Sequence, residues 1–301
     1  MKFFKPEASI FIPDGAPAAD AFRRVTHLGI GAHQDDLEIM AFHGIEACYD
    51  SRTLWFGAVT CTDGRGAPRS GKYASLSDAE MAALRRREQE QAAVIGKYGA
   101  LVQLNYASAE VKDVGSGRLE SDLVEILEAA KPKAVYTHNP ADKHDTHLAV
   151  VFTAIAALRR LSPASRPGIV YGCEVWRGLD WMDDADKVPL DVGRNEDLSA
   201  RLIGVYDSQV EGGKRYDLAT VGRRRANASY FQSHETDRAE QLWFAMDLTP
   251  LVQDDGLDVG RFVLGHVDKF RASVEAKIKK YLISAYNRPG SAAQRHRRPS
   301  R

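Results

Sequence analysis

The chain has 301 residues with 41 basic and 41 acidic side chains, so its formal net charge is zero, which speaks against a general attraction to nucleic acid or to an anionic membrane. With 44% hydrophobic and 27% charged residues the composition excludes wholesale disorder and allows one large α/β domain or two smaller ones. The longest apolar stretch, residues 148–158, falls short of the roughly 18 to 20 needed to cross a bilayer, and Pro6, Glu7 and Pro13 break any signal-peptide core, so a cytoplasmic location is expected.

In chain order, residues 25–32 (VTHLGIGA) read as a buried strand feeding a tight turn, 38–49 as a helix, and 53–61 as a second buried strand. Residues 63–74, rich in Gly and Arg, make a long loop with the character of a lid. Ser77 with Glu80 forms a capping box that opens an amphipathic helix running to about residue 98. Strands are expected at 101–106, 133–138 and 168–176, with helices at 120–130 and 145–161 between them. This alternation is the signature of a mostly parallel sheet covered by helices on both faces. The second half is less regular, with helices at 198–210, 214–230 and 259–286 and a strand at 241–247. We expect a single α/β domain over 1–289, with a core of about 25–175 and a C-terminal elaboration over 176–289. The basic tail 290–301 is expected to be disordered.

Two clusters carry the chemistry. His33, Gln34, Asp35 and Asp36 follow the carboxyl end of the first strand, where ligands bind in open α/β sheets. The second, His138 to His147 (HNPADKHDTH), follows a later strand of the same kind, so the two can meet in one crevice. His144 and His147 are three apart and project from one face of a helix. Cys48, Cys61 and Cys173 are far apart with no CxxC pair, which leaves His and carboxylates as metal ligands. His33, Asp36 and His147 would supply two nitrogens and a carboxylate, the ligand chemistry of a catalytic zinc site with positions open for water. Asp35, next to a ligand but aimed elsewhere, would be free to take a proton.

AHQDDLE, followed about a hundred residues later by HDTH after a strand, resembles the zinc-dependent PIG-L/LmbE-like N-deacetylases, whose motifs are AHPDD and HPDH. The spacing of Arg85, Glu88, Ala92 and Gly96 adds to the likeness, which covers roughly residues 25–175. The resemblance implies a Rossmann-like three-layer α/β fold, Zn2+ on His33, Asp36 and His147, Asp35 as general base, and His144 as the group that polarises the amide carbonyl. It implies removal of an N-acyl group, acetyl above all, from an amino sugar or amino-sugar-like small molecule. A protonated His144 would stabilise the oxyanion, and Asp35 would return its proton to the departing amine. The alternatives are a hydrolase of a non-acetyl amide in a biosynthetic pathway, or a zinc-binding relative with a regulatory task. Three positions depart from the pattern: Gln34 for Pro, Leu37 for an acid, and Thr146 for the carboxylate expected beside His144, for which Asp142 or Asp145 are candidate replacements.

Residues 66–72 (GAPRSGK) approach a P-loop, but Tyr73 replaces the metal-binding hydroxyl and Pro68 removes a cradle N–H. Arg65 and Arg69 in the lid are candidates to clamp a substrate anion. Glu174, Trp176 and Arg177 combine an acid, an aromatic face and a base at a strand end, a mixture suited to a sugar-like ligand. Ser208, Gln209, Lys214 and Arg215 form a polar turn suited to substrate or subunit contact. The expected partner is a small molecule, with neither nucleic acid nor membrane, in a chain that could form a homo-oligomer.

Overall fold

The computed structural model describes residues 1–286, so the basic tail 290–301 lies outside the described residues. Strands β1 (Ser9–Phe11), β2 (His27–Gly31), β3 (Phe56–Thr62), β4 (Ala100–Tyr106), β5 (Ala134–His138), β6 (Ile169–Cys173), β7 (Lys187–Asp191) and β8 (Leu242–Asp247) form one sheet in the order β1-β4-β3-β2-β5-β6-β8-β7. The five central strands β4, β3, β2, β5 and β6 run parallel. β1 joins β4 antiparallel at one edge, and β8 joins β6 and β7 antiparallel at the other.

Period-two alternation divides each central strand between two apolar layers. Leu28, Ile30, Val59 and Cys61 face a layer shared with α6 (Arg118–Ala130) and α7 (Asp145–Arg160). Phe56 and Ala58 face the opposite layer, with α2 (Asp36–Met40), α3 (Phe42–Tyr49), α4 (Asp78–Ile95) and α8 (Glu196–Gly204). Gly29 belongs there for want of space: a Cβ would meet Leu37 Cδ2 at 2.8 Å and Phe56 Cζ at 2.9 Å. Among the described residues no helix is long and apolar enough to cross a membrane.

The helix expected at 38–49 is two helices, divided at Ala41. The first starts at Asp36, which puts that carboxylate on its opening residue. The helix expected to run to 98 ends at Ile95, because Tyr98 turns inward to donate a 2.7 Å hydrogen bond to buried Glu38. The helix expected at 198–210 is likewise two, α8 and α9 (Asp207–Val210). α10 (Tyr216–Tyr230), α11 (Thr249–Gln253) and α12 (Val259–Tyr286) complete the second half. β1, β7, α1 (Ala18–Arg24), α5 (Ser108–Lys112) and α11 had no sequence expectation.

Candidate metal centre and active site

β2 pairs with β3 on one side and β5 on the other, and the chain reverses direction across the sheet between β4 and β5. That reversal opens a crevice over the carboxyl ends of β2 and β5. His33 to Asp36 leave the first of these ends, and the segment from His138 to His147 leaves the second. Asp35 takes a left-handed backbone (φ 80°), a conformation that costs a non-glycine residue energy and is common among Asp in functional turns. Asp36 then opens α2, and its Oδ2 accepts the His33 backbone N–H at 2.6 Å. His144 is the N-cap of α7 and His147 sits one turn in.

The side chains of His33, Asp36 and His147 close a triangle. His33 Nδ1 lies 3.2 Å from His147 Nε2 and 3.3 Å from Asp36 Oδ2, and His147 Nε2 lies 3.4 Å from Asp36 Oδ1. Ligands about 2.05 Å from a tetrahedral ion are about 3.35 Å apart, a separation these contacts have, with both Asp36 oxygens taking part; two overlapping sets, His33 with His144 and His147 and Asp36 with His138 and His147, also bring one donor atom each within 4.8 Å of one another. His147 Nδ1 donates to Asp142 Oδ2 at 3.3 Å, which leaves Nε2 with its lone pair toward the triangle. Burial opposes charge on both members of the central pair, yet His147 and His138 hold the Asp36 carboxyl below its ordinary range, while Asp36 and Asp142 hold the His147 imidazole above its own. Such a clustering of buried donors, and not the sequence alone, makes a cation at this point chemically reasonable.

A fourth imidazole, His138, was not among the expected site residues. It is fully buried and stacks on His147 at 3.8 Å between ring centroids. Its Nε2 accepts the Ala32 N–H at 2.9 Å, which occupies that lone pair and ties β5 to the end of β2. It supports the triangle and is not free to extend it.

Asp35 points away from the triangle. Its Oδ2 accepts from Arg85 Nη2 at 2.9 Å, and the same guanidinium donates to the Gln34 carbonyl at 2.6 Å. Burial pushes the Asp35 carboxyl up to about 7, with Arg85 opposing and Asp36 adding to the rise. Arg85 lies on the buried face of α4, and the spacing it shares with Glu88, Ala92 and Gly96 carries no role for it in the sequence alone. Gln34, in place of the usual Pro, donates from Nε2 to the Thr62 carbonyl at 3.1 Å. A Cβ on Gly64 (φ 72°) would stand 2.3 Å from Gln34 Oε1, so the lid begins on a glycine that the substituted Gln requires.

His144 differs from expectation. Burial, and then His147 and His33, lower its pKa to about 4, so the ring is neutral near neutral pH. Its Nδ1 accepts the Thr146 N–H at 3.3 Å, which places the remaining ring proton on Nε2. Asp142 fills the vacancy left by Thr146 only in part: its carboxylate serves the His147 ring and the His144 backbone N–H, not the His144 ring.

A cavity of about 440 Å³ opens over these groups, lined by His33, Asp35, Asp36 and His144 together with Trp176 and the lid backbone at Gly64, Gly66 and Ala67. Lys112, Gln209, Lys214 and Tyr216 also line it. A second cavity of about 240 Å³ adjoins it at Asp35, Asp36, Trp176 and Tyr216. Of the five expected substrate contacts only Trp176 reaches either. Glu174 is buried and committed elsewhere, accepting from Asn227 Nδ2 and from the backbone N–H of Leu179 and Phe244, so it is a core carboxylate that ties α10 and β8 together. Arg65 pairs with Asp63 and Arg69 with Asp78, and Arg177 is exposed; none of the three lines either cavity. Ser208 is buried, its N–H and hydroxyl donating to Glu88 at 2.8 and 2.6 Å, so of the polar turn Gln209 and Lys214 are what the cavity meets.

An open, mostly parallel α/β sheet with a His/Asp cluster at its switch point defines a Rossmann-like protein built to hold a ligand, and a metal fits that cluster. Residues 28–158 match the PIG-L family model, described as GlcNAc-PI de-N-acetylase. The fold is similar to N,N'-diacetylchitobiose deacetylase from Pyrococcus horikoshii (TM-score 0.53, 21% identity, covering 73% of this chain and 83% of that one). It is also similar to the A40926 pseudoaglycone deacetylase (TM-score 0.54, 15% identity, 74% and 97%). A third likeness is to 4-carboxy-2-hydroxymuconate hydratase from Pseudomonas putida KT2440 (TM-score 0.53, 17% identity, 74% and 95%), so the fold by itself does not dictate the reaction. No curated protein matches the sequence significantly.

Proposed function

We propose that this chain is a zinc-dependent hydrolase that removes an N-acyl group, acetyl first among them, from an amino sugar or amino-sugar-like small molecule. The observation that carries the proposal is the His33, Asp36 and His147 triangle, with edges of 3.2 to 3.4 Å, two of whose corners, His33 and Asp36, line the same cavity as Asp35. The family match and the two deacetylases of similar fold support the choice of reaction.

In this reading His33, Asp36 and His147 would hold the ion, with Asp142 fixing the ring of His147. When bound, zinc would supply Lewis acidity that lowers the pKa of water to about 7. Asp35 takes the proton on Oδ1, the oxygen that Arg85 leaves free, and delivers it to the departing amine. His144 donates from Nε2 to the carbonyl oxygen as that oxygen gains charge, a task a neutral imidazole performs with its single N–H. Trp176 offers a flat face to a sugar ring, with Lys214 Nζ 4.8 Å from its ring centroid. The described residues act together as one domain, because elements on both sides of residue 175 line the cavity.

The test is zinc content together with acid release from a panel of N-acetylated amino sugars. The reading expects one zinc per chain and free acetate. Release of a different acid would select the non-acetyl amidase, and stoichiometric zinc with no turnover on any amide would select the non-catalytic relative. A protein unable to take up zinc would end the proposal.

A further inference from the structure

The charges that line the main cavity do not balance. Its acids are Asp35 and Asp36, and both are committed: Arg85 holds Asp35, and Asp36 faces His33 and His147. Two further cations, Lys112 and Lys214, line the same cavity, and among the described residues neither has an ion pair. Acids close by in the chain pass them over. Glu110, two residues before Lys112, takes Lys5 at 3.0 Å, and Asp217, three after Lys214, takes Arg215 at 2.6 Å. The smaller adjoining cavity adds Lys143, likewise without an ion pair, and no acid beyond the same two.

An unpaired lysine in solvent is ordinary, so placement has to decide. Lys214 is placed by its main chain. Ser208 is anchored on buried Glu88, and the chain then doubles back through Gly212, where a Cβ would stand 1.7 Å from the Ser208 carbonyl oxygen, and through Gly213 at φ 116°. The Lys214 N–H closes the turn on the Gln209 carbonyl at 2.7 Å. Nζ then lies 4.8 Å from the Trp176 ring centroid, and the Trp176 ring lies 6.2 Å from the His144 ring. A ligand with its amide at His144 and a sugar ring on Trp176 therefore meets an ammonium group next. Lys112 comes from a separate element, the last residue of α5, whose Val111 packs into the core.

We propose that the substrate carries, away from its N-acyl group, an oxyanion, a carboxylate or a phosphate ester, and that Lys112 and Lys214 select it. This rests on the reading that an N-acyl amine is cleaved in this cavity. A cleft lined by one sign of charge concentrates a ligand of the opposite sign, and an ammonium contact to an anion is stronger inside a concave site than in open water. Lysine meets an anion as a point charge, which suits carboxylate and phosphate alike. The anion contact expected from Arg65 and Arg69 thus moves to α5 and to the glycine turn before α10, since neither arginine lines a cavity. That turn, open in the sequence to substrate or subunit contact, becomes a substrate contact.

The experiment gives the zinc-loaded full chain a matched set of probes: neutral N-acetylglucosamine, its 1-phosphate and 6-phosphate, and N-acetylmuramic acid with its carboxylate. Acetate release reads kcat/KM, and calorimetry on Asp35→Asn reads Kd for the same probes without turnover. At least one acid should be preferred over the neutral sugar by about tenfold, less so at high salt, and the preferred member tells carboxylate from phosphate. Lys112→Gln combined with Lys214→Gln should erase most of that preference at unchanged zinc content. A neutral sugar bound and turned over as well as all three acids would overturn the proposal and leave the deacetylase reading standing. A preference that survives the double substitution but vanishes in His33→Ala would also overturn it, because the anion would then sit on the metal. Acids bound in preference through the two lysines, with no acetate released from any probe, would keep the anion site and end the deacetylase reading.

Discussion

The group of His33, Asp35, Asp36 and His147 and the group of Trp176, Lys214 and Tyr216 are held by different means. In the first, buried side chains are fixed by hydrogen bonds with named partners: Asp142 for His147, the His33 N–H for Asp36, Arg85 for Asp35. In the second, rings and a lysine rest on one another, with Trp176 and Tyr216 edge to face at 6.3 Å and Lys214 over the Trp176 ring, and no acid pairs with Lys112 or Lys214 among the described residues. A reaction centre needs its groups pre-positioned, because even small misplacement is costly. A recognition surface tolerates side chains that rearrange around the ligand. The first region should therefore answer substitution in metal content and turnover, the second in substrate affinity.

The sharpest test of that division is His33→Ala. Losing one corner of the triangle should take bound zinc from about one per chain to near none, and turnover should fall roughly a thousandfold or more, the equivalent of several kcal/mol of charge stabilisation. Metal analysis of the purified variant checks the first part. Asp35→Asn should behave differently, keeping zinc while losing about 10² to 10⁴ in turnover, since the amide cannot take the proton. Zinc loss in that variant would place Asp35 among the ligands and break the separation between base and metal.

Arg85 bears on the same region through stability. Arg85→Met leaves the Asp35 carboxylate buried without its partner, which should cost about 3 to 5 kcal/mol. In a chain of this size the unfolding temperature should drop by roughly 10 °C. Adding Asp35→Asn should recover part of that loss, because no uncompensated charge then remains; a purely additive double variant would show that the pair is not what Arg85 stabilises. A smaller effect is expected from Asp142→Asn. The amide keeps a hydrogen-bond acceptor for His147 Nδ1 but removes the charge behind the ring, so zinc affinity should fall about 10- to 100-fold without abolishing binding. Competition with a chelator reads this directly.

The chemical region was legible in the sequence because local spacing builds it. Residues 33–36 are contiguous, His144 and His147 are one helical turn apart, and both follow strands with clear apolar runs. Only their meeting had to be inferred, and β2 pairing with β5 supplies it. His138 and Asp142 lay inside the second cluster, but nothing in their spacing distinguishes a support from a ligand. Arg85 reaches Asp35 across fifty residues, and only the packing of α4 against the turn reveals it. β7 was missed because Pro189 argues against a strand; as the edge of the sheet, paired only with β8, it does not need the missing N–H. Glu174 is ambiguous in the sequence for a related reason. An acid beside aromatics reads equally as a ligand grip or as a core carboxylate, and the N–H groups of Leu179 and Phe244 that decide the matter lie 5 and 70 residues away.

The smallest expected effect tests the recognition region. Trp176 is the one expected substrate contact that the cavities do contain, and its backbone N–H donates to Asp142 Oδ2 at 3.3 Å, so its place is coupled to the metal side through the main chain and not through its ring. Trp176→Ala deletes the ring and leaves that bond intact. Zinc content should be unchanged, and KM for an amino-sugar substrate should rise about tenfold, the value of one aromatic contact of 1 to 2 kcal/mol. kcat should move much less, because binding lost equally from substrate and transition state appears in KM alone. A fall in kcat matching the fall in kcat/KM would mean instead that the ring shields the reacting groups from water, and the boundary between the two regions would then run beyond Trp176, toward Lys214 and Tyr216.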